Sequence, residues 1–191
     1  MTEARLKPMN PPYAAATRAA FARVMPDGVP PLHLFRTLAV NERVFLRFMA
    51  SGLLDRGSIT PRERELVIDR TCFCCGSEYE WGVHIAFFGP QVALTPDEIR
   101  DLCAADPDST AFNSRERLLL RLCDELHATA TVGDVLWSAL AAEWSPEQLV
   151  ELVALCGHYH TVAFATNALR LPLEPFGARF GVPAATAEET P

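Results

Sequence analysis

The chain has 191 residues, 49% of them hydrophobic and 21% charged, with a formal net charge of −7. This is enough chain for one compact domain or two small repeats of one unit, and the acidic balance with no basic tract argues against nucleic acid as the main partner. No run reaches the roughly 20 apolar residues of a membrane span, and MTEARLKPMNPPY lacks the apolar centre of a secretory signal, so a cytoplasmic location is expected.

Residues 1–12 are polar and contain prolines, which predicts an extended arm. Tyr13 to Met25 is alanine-rich and predicts a helix that ends at the breaker PDGVPP. Leu32 to Leu54 carries Leu34, Leu38, Val44, Phe45, Phe48 and Met49 at helical spacing, with Gly52 or Gly57 as the point of division or ending. Thr60-Pro61 with Glu63 is a helix start, and that helix runs to about Cys75, where Gly76 breaks it. Ser77 can cap the next helix, which runs to Phe88 before Gly89-Pro90.

Thr95-Pro96-Asp97-Glu98 opens a short helix to Ala104, and Asn113 caps one through His127. Thr131 to Trp144 is another. Ser145-Pro146-Glu147 opens a long one to about Leu169, apolar on most faces and so expected to be central. Alternating β-branched runs are scarce. The pattern is all-α, about eight helices joined by short loops, with one domain over residues 13–175 and a tail over 176–191.

The chemistry-bearing groups concentrate around CFCCGSEYEWGVH, Cys72 to His84, with Glu65 upstream in RERELVIDR. Glu80 and His84 are four apart and share one helix face. A carboxylate beside an imidazole fixes its tautomer and raises its pKa, which suits acid–base work, and the surrounding Trp81, Val83, Ile85, Phe87 and Phe88 are not those of a solvated face. Antiparallel packing across the Cys75-Gly76 turn can bring Glu65 opposite His84. Read from the residues alone, a glutamate after Arg62 and Arg64 is more simply a structural ion pair. Arg70 is expected to pair with Asp69 or Glu65. Tyr79 points away from Glu80 and reads as packing.

Six cysteines without a signal peptide read as reduced thiols. Cys103, Cys123 and Cys156 sit in apolar helical patterns and read as small hydrophobes. Cys72 and Cys75 form a C-x-x-C, with Cys75 just before a helix start where aligned amides favour a thiolate. A metal is not expected, because Cys156 with His158 or His160 does not complete a known zinc spacing. In His158-Tyr159-His160, one histidine is expected to face the pocket or a subunit contact.

These residues resemble the carboxymuconolactone decarboxylase family, which includes the alkylhydroperoxidase D-like proteins. The resemblance covers about Phe35 to Leu173, on LFRTLAVNERVFLRFMASGLLDRGSITPRERELVIDRT, CGSEYEWGVHIA, LTPDEI and ERLLLRLCDELHATATVGDVLWSAL. The peroxidase branch has a helix glutamate followed by C-x-x-C-x-x-x-H. Setting that histidine on His84 puts the glutamate on Glu65 and the two redox cysteines on Ser77 and Glu80, neither a thiol. The Cys72–Cys75 pair is five residues out of register. The decarboxylase branch resembles E-x-E-x-x-x-H, matched by Glu78, Glu80 and His84.

The resemblance implies an all-helical homo-oligomer (dimer, trimer or hexamer) that acts without cofactor on a small molecule, with no membrane partner. It implies decarboxylation or a related proton transfer on a small carboxylated lactone or enone, with Glu65, Glu80 and His84 catalytic in exchangeable roles. Cys75, Glu78, Tyr79, His158 and His160 are the further pocket candidates. Two alternatives stand beside this reading: a thiol peroxidase using Cys72 and Cys75, and a helical binding protein without catalysis.

Overall fold

The structure is a computed structural model that describes residues 4–26, 28–104 and 110–181. Among these, the chain forms nine α-helices and one 3-10 turn, with no strand: α1 Ala15–Val24, α2 His33–Leu38, α3 Glu42–Ser51, α4 Pro61–Cys74, α5 Glu78–Phe87, the 3-10 turn Pro90–Val92, α6 Pro96–Leu102, α7 Ser114–Thr129, α8 Asp134–Glu143 and α9 Pro146–Ala168. The all-α class holds.

Four helix starts are fixed by reciprocal caps in which a side chain at the N-cap accepts from the third helical amide while that residue's side chain accepts from the cap amide. The pairs are Thr60 with Glu63, Thr95 with Glu98, Asn113 with Glu116 and Ser145 with Gln148. Such a cap contributes about 1 kcal/mol. Gly76 ends α4 at φ +64°, a backbone state that side-chain-bearing residues resist.

The helix expected over Leu32 to Leu54 is two helices, and neither glycine divides it. The break falls at Ala39–Asn41, where the Asn41 side chain accepts from the Val44 amide and starts α3. Local capping chemistry outweighs a continuous apolar pattern here. Ser77 occupies the N-cap of α5 but makes no side-chain cap; its hydroxyl lies 2.8 Å from that of Thr166 on α9.

α4 is the hub and packs against α5, α7 and α9. Leu66, Val67, Ile68, Trp81, Leu119, Leu152 and Leu155 are fully buried around it. Each such side chain contributes about 1.5–3 kcal/mol by leaving water. α9 is long and apolar enough to cross a membrane by length and composition alone, but Leu149, Leu152, Leu155, Tyr159 and Val162 seat one face of it in this core. α1 to α3 build a smaller cluster of their own from Ala20, Phe21, Ala39 and Phe45.

The ends of the described chain lie on the bundle. The Arg5 amide donates to the Leu169 carbonyl at 3.0 Å, so the N-terminal arm is tied to the end of α9. The expected tail from residue 176 is not detached at its start. The Ala178 amide donates to the Gly82 carbonyl at 3.0 Å, and Phe180 packs against Phe73 and Trp81. The packed unit therefore continues from 175 to 181, because Gly82 has no Cβ where this segment crosses; a Cβ there would stand 2.4 Å from the Ala178 carbonyl oxygen. The rest of the expected tail, 182–191, lies outside the described residues.

Candidate active site

Glu65, Glu80 and His84 come together. α4 and α5 run antiparallel across the Gly76 turn, and this folds Glu65 back to within 2.7 Å (Oε2) of Nδ1 of His84. On the other side of the ring, Nε2 lies 3.1 Å from the Tyr159 hydroxyl and 3.5 Å from Oε1 of Glu80. His84 and Glu65 are almost fully buried. The second oxygen of Glu65 accepts from Nε of Arg64 at 3.0 Å. The chain of contacts is therefore Arg64–Glu65–His84–Tyr159, with Glu80 beside Nε2. The two carboxylates face one guanidinium and one imidazole.

Burial works against a charged His84 ring. The hydrogen bonds to Glu65 and Glu80 and their charge outweigh it, and its pKa is pushed up to about 10. The ring is an imidazolium at neutral pH. Burial pushes the Tyr159 phenol well up, so it keeps its proton. Tyr159 stands edge-on to the imidazole with ring centres 5.2 Å apart, and Phe88 covers another side at 5.0 Å. These rings keep bulk water from the cluster.

One group had no place in the sequence reading of the site. Asp69 lies one turn after Glu65 on α4, fully buried, and neither carboxyl oxygen has a hydrogen-bond partner. Burial holds it well above the usual carboxylate range, with Glu65 and Glu80 adding to the effect and His84 opposing it. Its carboxyl is biased toward the protonated form beside the imidazole. Oε2 of Glu80 and Nε1 of Trp81 are likewise buried and unpartnered. The expected pairing of Arg70 with Asp69 or Glu65 does not occur. Arg70 instead grips Asp124 at 2.7 and 3.0 Å and the carbonyls of Leu102 and Ala104, which ties α4 to α6 and α7. The signal for Asp69 was its position, i+4 from Glu65, on a helix buried on nearly every face.

Among the further pocket candidates, none joins this cluster. Glu78 accepts from the Phe180 amide at 3.1 Å and holds the C-terminal segment. The Tyr79 hydroxyl donates to Glu174 at 2.6 Å and accepts from the Leu34 amide at 3.0 Å. This is the packing role expected of it, and both residues line a separate open cavity of about 270 Å³. His158 stacks on Phe48 at 5.1 Å, and burial pushes its pKa down. His160 turns to His127, at 3.2 Å. The residue that faces His84 is Tyr159 between them, because consecutive helical residues point about 100° apart.

The cysteines do not form a thiolate centre at the C-x-x-C. Cys72 is fully buried and burial raises its pKa strongly; burial also lifts Cys74 to about 12 and Cys75 to about 11. Cys75 caps the C-terminal end of α4 rather than meeting amides at the start of α5, so the expected activation is lost. Cys156 is the exception among the bland cysteines: a hydrogen bond from Cys123 draws it down to about 6 against its burial, helped by Thr71 and His160.

A second open cavity, of about 170 Å³, is lined by Leu54, Asp55, Arg56, Gly57, Ile59, Pro61, Arg64 and Glu151. Arg64 connects it to the cluster, since the same side chain lines the cavity and holds Glu65.

Residues 42–125 match the carboxymuconolactone decarboxylase family. No curated protein matches the chain. Among the solved structures that share the fold are three that align as follows. An uncharacterized peroxidase-related protein from Silicibacter sp. TM1040 aligns with TM-score 0.74 at 16% identity, over 90% of this chain and 92% of that one. An uncharacterized peroxidase-related protein with an alkylhydroperoxidase AhpD core, from Ralstonia eutropha JMP134, aligns with TM-score 0.74 at 17% identity, over 85% and 87%. A Cys-to-Ala variant of the debrominase Bmp8, in complex with 2,3,4-tribromopyrrole, aligns with TM-score 0.74 at 14% identity, over 89% and 91%. The segment from α3 into α7 is thus similar to the carboxymuconolactone decarboxylase family, and the whole bundle shares the fold of these alkylhydroperoxidase D-like structures.

Proposed function

We propose that the protein is a cofactor-free enzyme that decarboxylates, or moves a proton on, a small carboxylated lactone or enone. The observation that carries this reading is the closed Glu65–His84–Tyr159 line, with the buried, unpartnered carboxyl of Asp69 one helical turn from Glu65. Loss of carbon dioxide from a conjugated acid leaves an electron pair that must be held as an enolate. A preorganised cationic donor in a dry site does this. His84 supplies the charge, and Tyr159 relays it as a hydrogen-bond donor.

The value near 10 favours one of the roles left open by the sequence. An acid that holds its proton this firmly transfers it poorly at neutral pH. His84 therefore serves as the fixed donor, Glu65 and Glu80 keep it charged, and Asp69 supplies the proton to carbon. The substrate carboxylate would enter by the cavity that Arg56 and Arg64 line. The cytoplasm is the proposed location.

Self-association is part of the same reading. Val135 and Trp137 on α8, and Val150, Val153 and Phe164 on α9, leave apolar side chains exposed. A second copy of the chain is the proposed cover.

The test is incubation with a panel of small carboxylated lactones and enones in deuterated water, read by carbon dioxide release and by deuterium at carbon. Turnover that drops on the order of a hundredfold in His84→Gln, and persists when Cys72, Cys74 and Cys75 are replaced together, supports the reading. Strong turnover of alkyl hydroperoxides with a dithiol reductant, abolished by the cysteine replacement, would make the thiol chemistry the correct one. Absence of both across the panel favours a binding protein.

A further inference from the structure

Away from the buried cluster, three side chains from three helices meet at the surface. Cys75 closes the end of α4, His127 sits in the last turn of α7, and His160 lies in the second half of α9. Sγ of Cys75 is 3.6 Å from Nδ1 of His127, and that same nitrogen is 3.2 Å from Nε2 of His160. The three donor atoms all lie within 4.8 Å of one another. The residues are 52 and 33 positions apart in sequence, so no spacing motif announces them.

The tautomer of His160 is set by its own helix. Its Nδ1 is 2.9 Å from the Cys156 carbonyl oxygen, which can only accept, so Nδ1 carries the proton and Nε2 presents a lone pair. A ring N–H held on a backbone carbonyl is the usual orientation of a metal-binding histidine. One proton on Nδ1 of His127 cannot serve both His160 and Cys75. A cation shared by all three donors satisfies them at once.

The spacing fits a particular ion. With Zn–N of about 2.05 Å and Zn–S of about 2.3 Å, a tetrahedral site has N–N edges of roughly 3.3 Å and N–S edges of roughly 3.6 Å. Two of the observed separations, 3.2 and 3.6 Å, match those edges, and the third lies within 4.8 Å. The donors are one sulfur and two imidazoles with no carboxylate oxygen, which selects zinc-like ions over magnesium or calcium. Sγ of Cys156 also lies 3.9 Å from Nδ1 of His160, on the side of the ring away from the site. The Cys75 carbonyl is held by the Asn167 side chain at 2.8 Å, which fixes the backbone from which the thiol projects.

We propose that Cys75, His127 and His160 form a divalent transition-metal site, of the zinc class, with a fourth position open to solvent. A thiol gives up its proton when it binds a metal, so affinity rises with pH. The bound ion would tie α4, α7 and α9 together at one point.

The experiment uses the full chain stripped of metal by chelation under reducing conditions, then titrated with Co²⁺ alone and back-titrated with Zn²⁺. One equivalent per chain is expected, with the visible bands of tetrahedral cobalt and a near-ultraviolet thiolate-to-cobalt band, both bleached by zinc. Cys75→Ser should remove the thiolate band. His127→Gln and His160→Gln should each weaken binding on the order of tenfold or more, while Cys103→Ser leaves it unchanged. Circular dichroism of each variant, and a zinc-dependent rise in melting temperature that is full in the unaltered chain and in Cys103→Ser but reduced in the three ligand variants, separate ligand loss from misfolding. No stoichiometric uptake, or a thiolate band that survives in Cys75→Ser, overturns the proposal.

Discussion

The Glu65 carboxylate meets Nδ1 of His84 at 2.7 Å where neither side chain reaches solvent. The contact joins α4 to α5 and keeps a positive charge inside the bundle. Its energetic cost and its chemical use are two sides of the same arrangement.

The first consequence is a pH dependence of stability. The His84 pKa rises from an ordinary 6.5 to about 10 on folding. A raised folded-state value contributes stability that is fully present below pH 6.5 and is lost as pH climbs through 10. Urea midpoints of the unaltered protein should fall between pH 7 and pH 10. In Glu65→Gln, which removes the main partner, the fall should end at lower pH and be smaller in total. Parallel curves for the two proteins would contradict the assignment.

Asp69 is buried at a cost to stability. Its folded-state value is also raised, by burial, so the protein loses stability as pH rises above the ordinary carboxylate range. Asp69→Asn removes that penalty, and the variant should gain on the order of 1 kcal/mol at pH 8 with a smaller gain at pH 5. If Asp69 delivers the proton, the same variant should lose turnover by about a hundredfold or more. A variant that is less stable at pH 8, or fully active, refutes the role given to it here.

Gly82 is a steric requirement. A Cβ at this position meets the Ala178 carbonyl at 2.4 Å, and the obstacle is backbone that cannot rotate away. Gly82→Ala should cost about 1–3 kcal/mol. Hydrogen exchange should then show early loss of protection at the Ala178 amide, ahead of α4. Unchanged protection there would mean that the segment adjusts without strain.

Self-association is checked by light scattering. The chain should run at a multiple of its 21.0 kDa mass at micromolar concentration. Phe164→Glu, on the exposed side of α9, should shift the population toward one copy without altering helix content. A stable single copy in the unaltered protein would rule the assembly out.

Much of this architecture was legible because its signals are local. Thr60-Pro61-x-Glu63 and Ser145-Pro146-x-Gln148 announce their helix starts by chemistry completed within four residues. Glu65 and His84 were legible as a pair through the family pattern and the Gly76 turn between their helices. Asn41 was overlooked because an apolar stripe runs through its neighbours, while the cap that divides α2 from α3 is a single side chain. Asp69, Tyr159 and His127 depend on how α4, α7 and α9 rotate against one another. No short window of sequence carries that rotation.

Tyr159 and His160 are joined by one peptide bond, yet one ring addresses His84 and the other addresses His127. The inner Tyr159–His84 contact and the outer donor trio are thereby locked in phase like two teeth on one gear. Inserting or deleting a single residue in α9 ahead of Tyr159 would turn every later position by about 100° and disengage both at once. Lengthening the α8–α9 connection would leave both engaged.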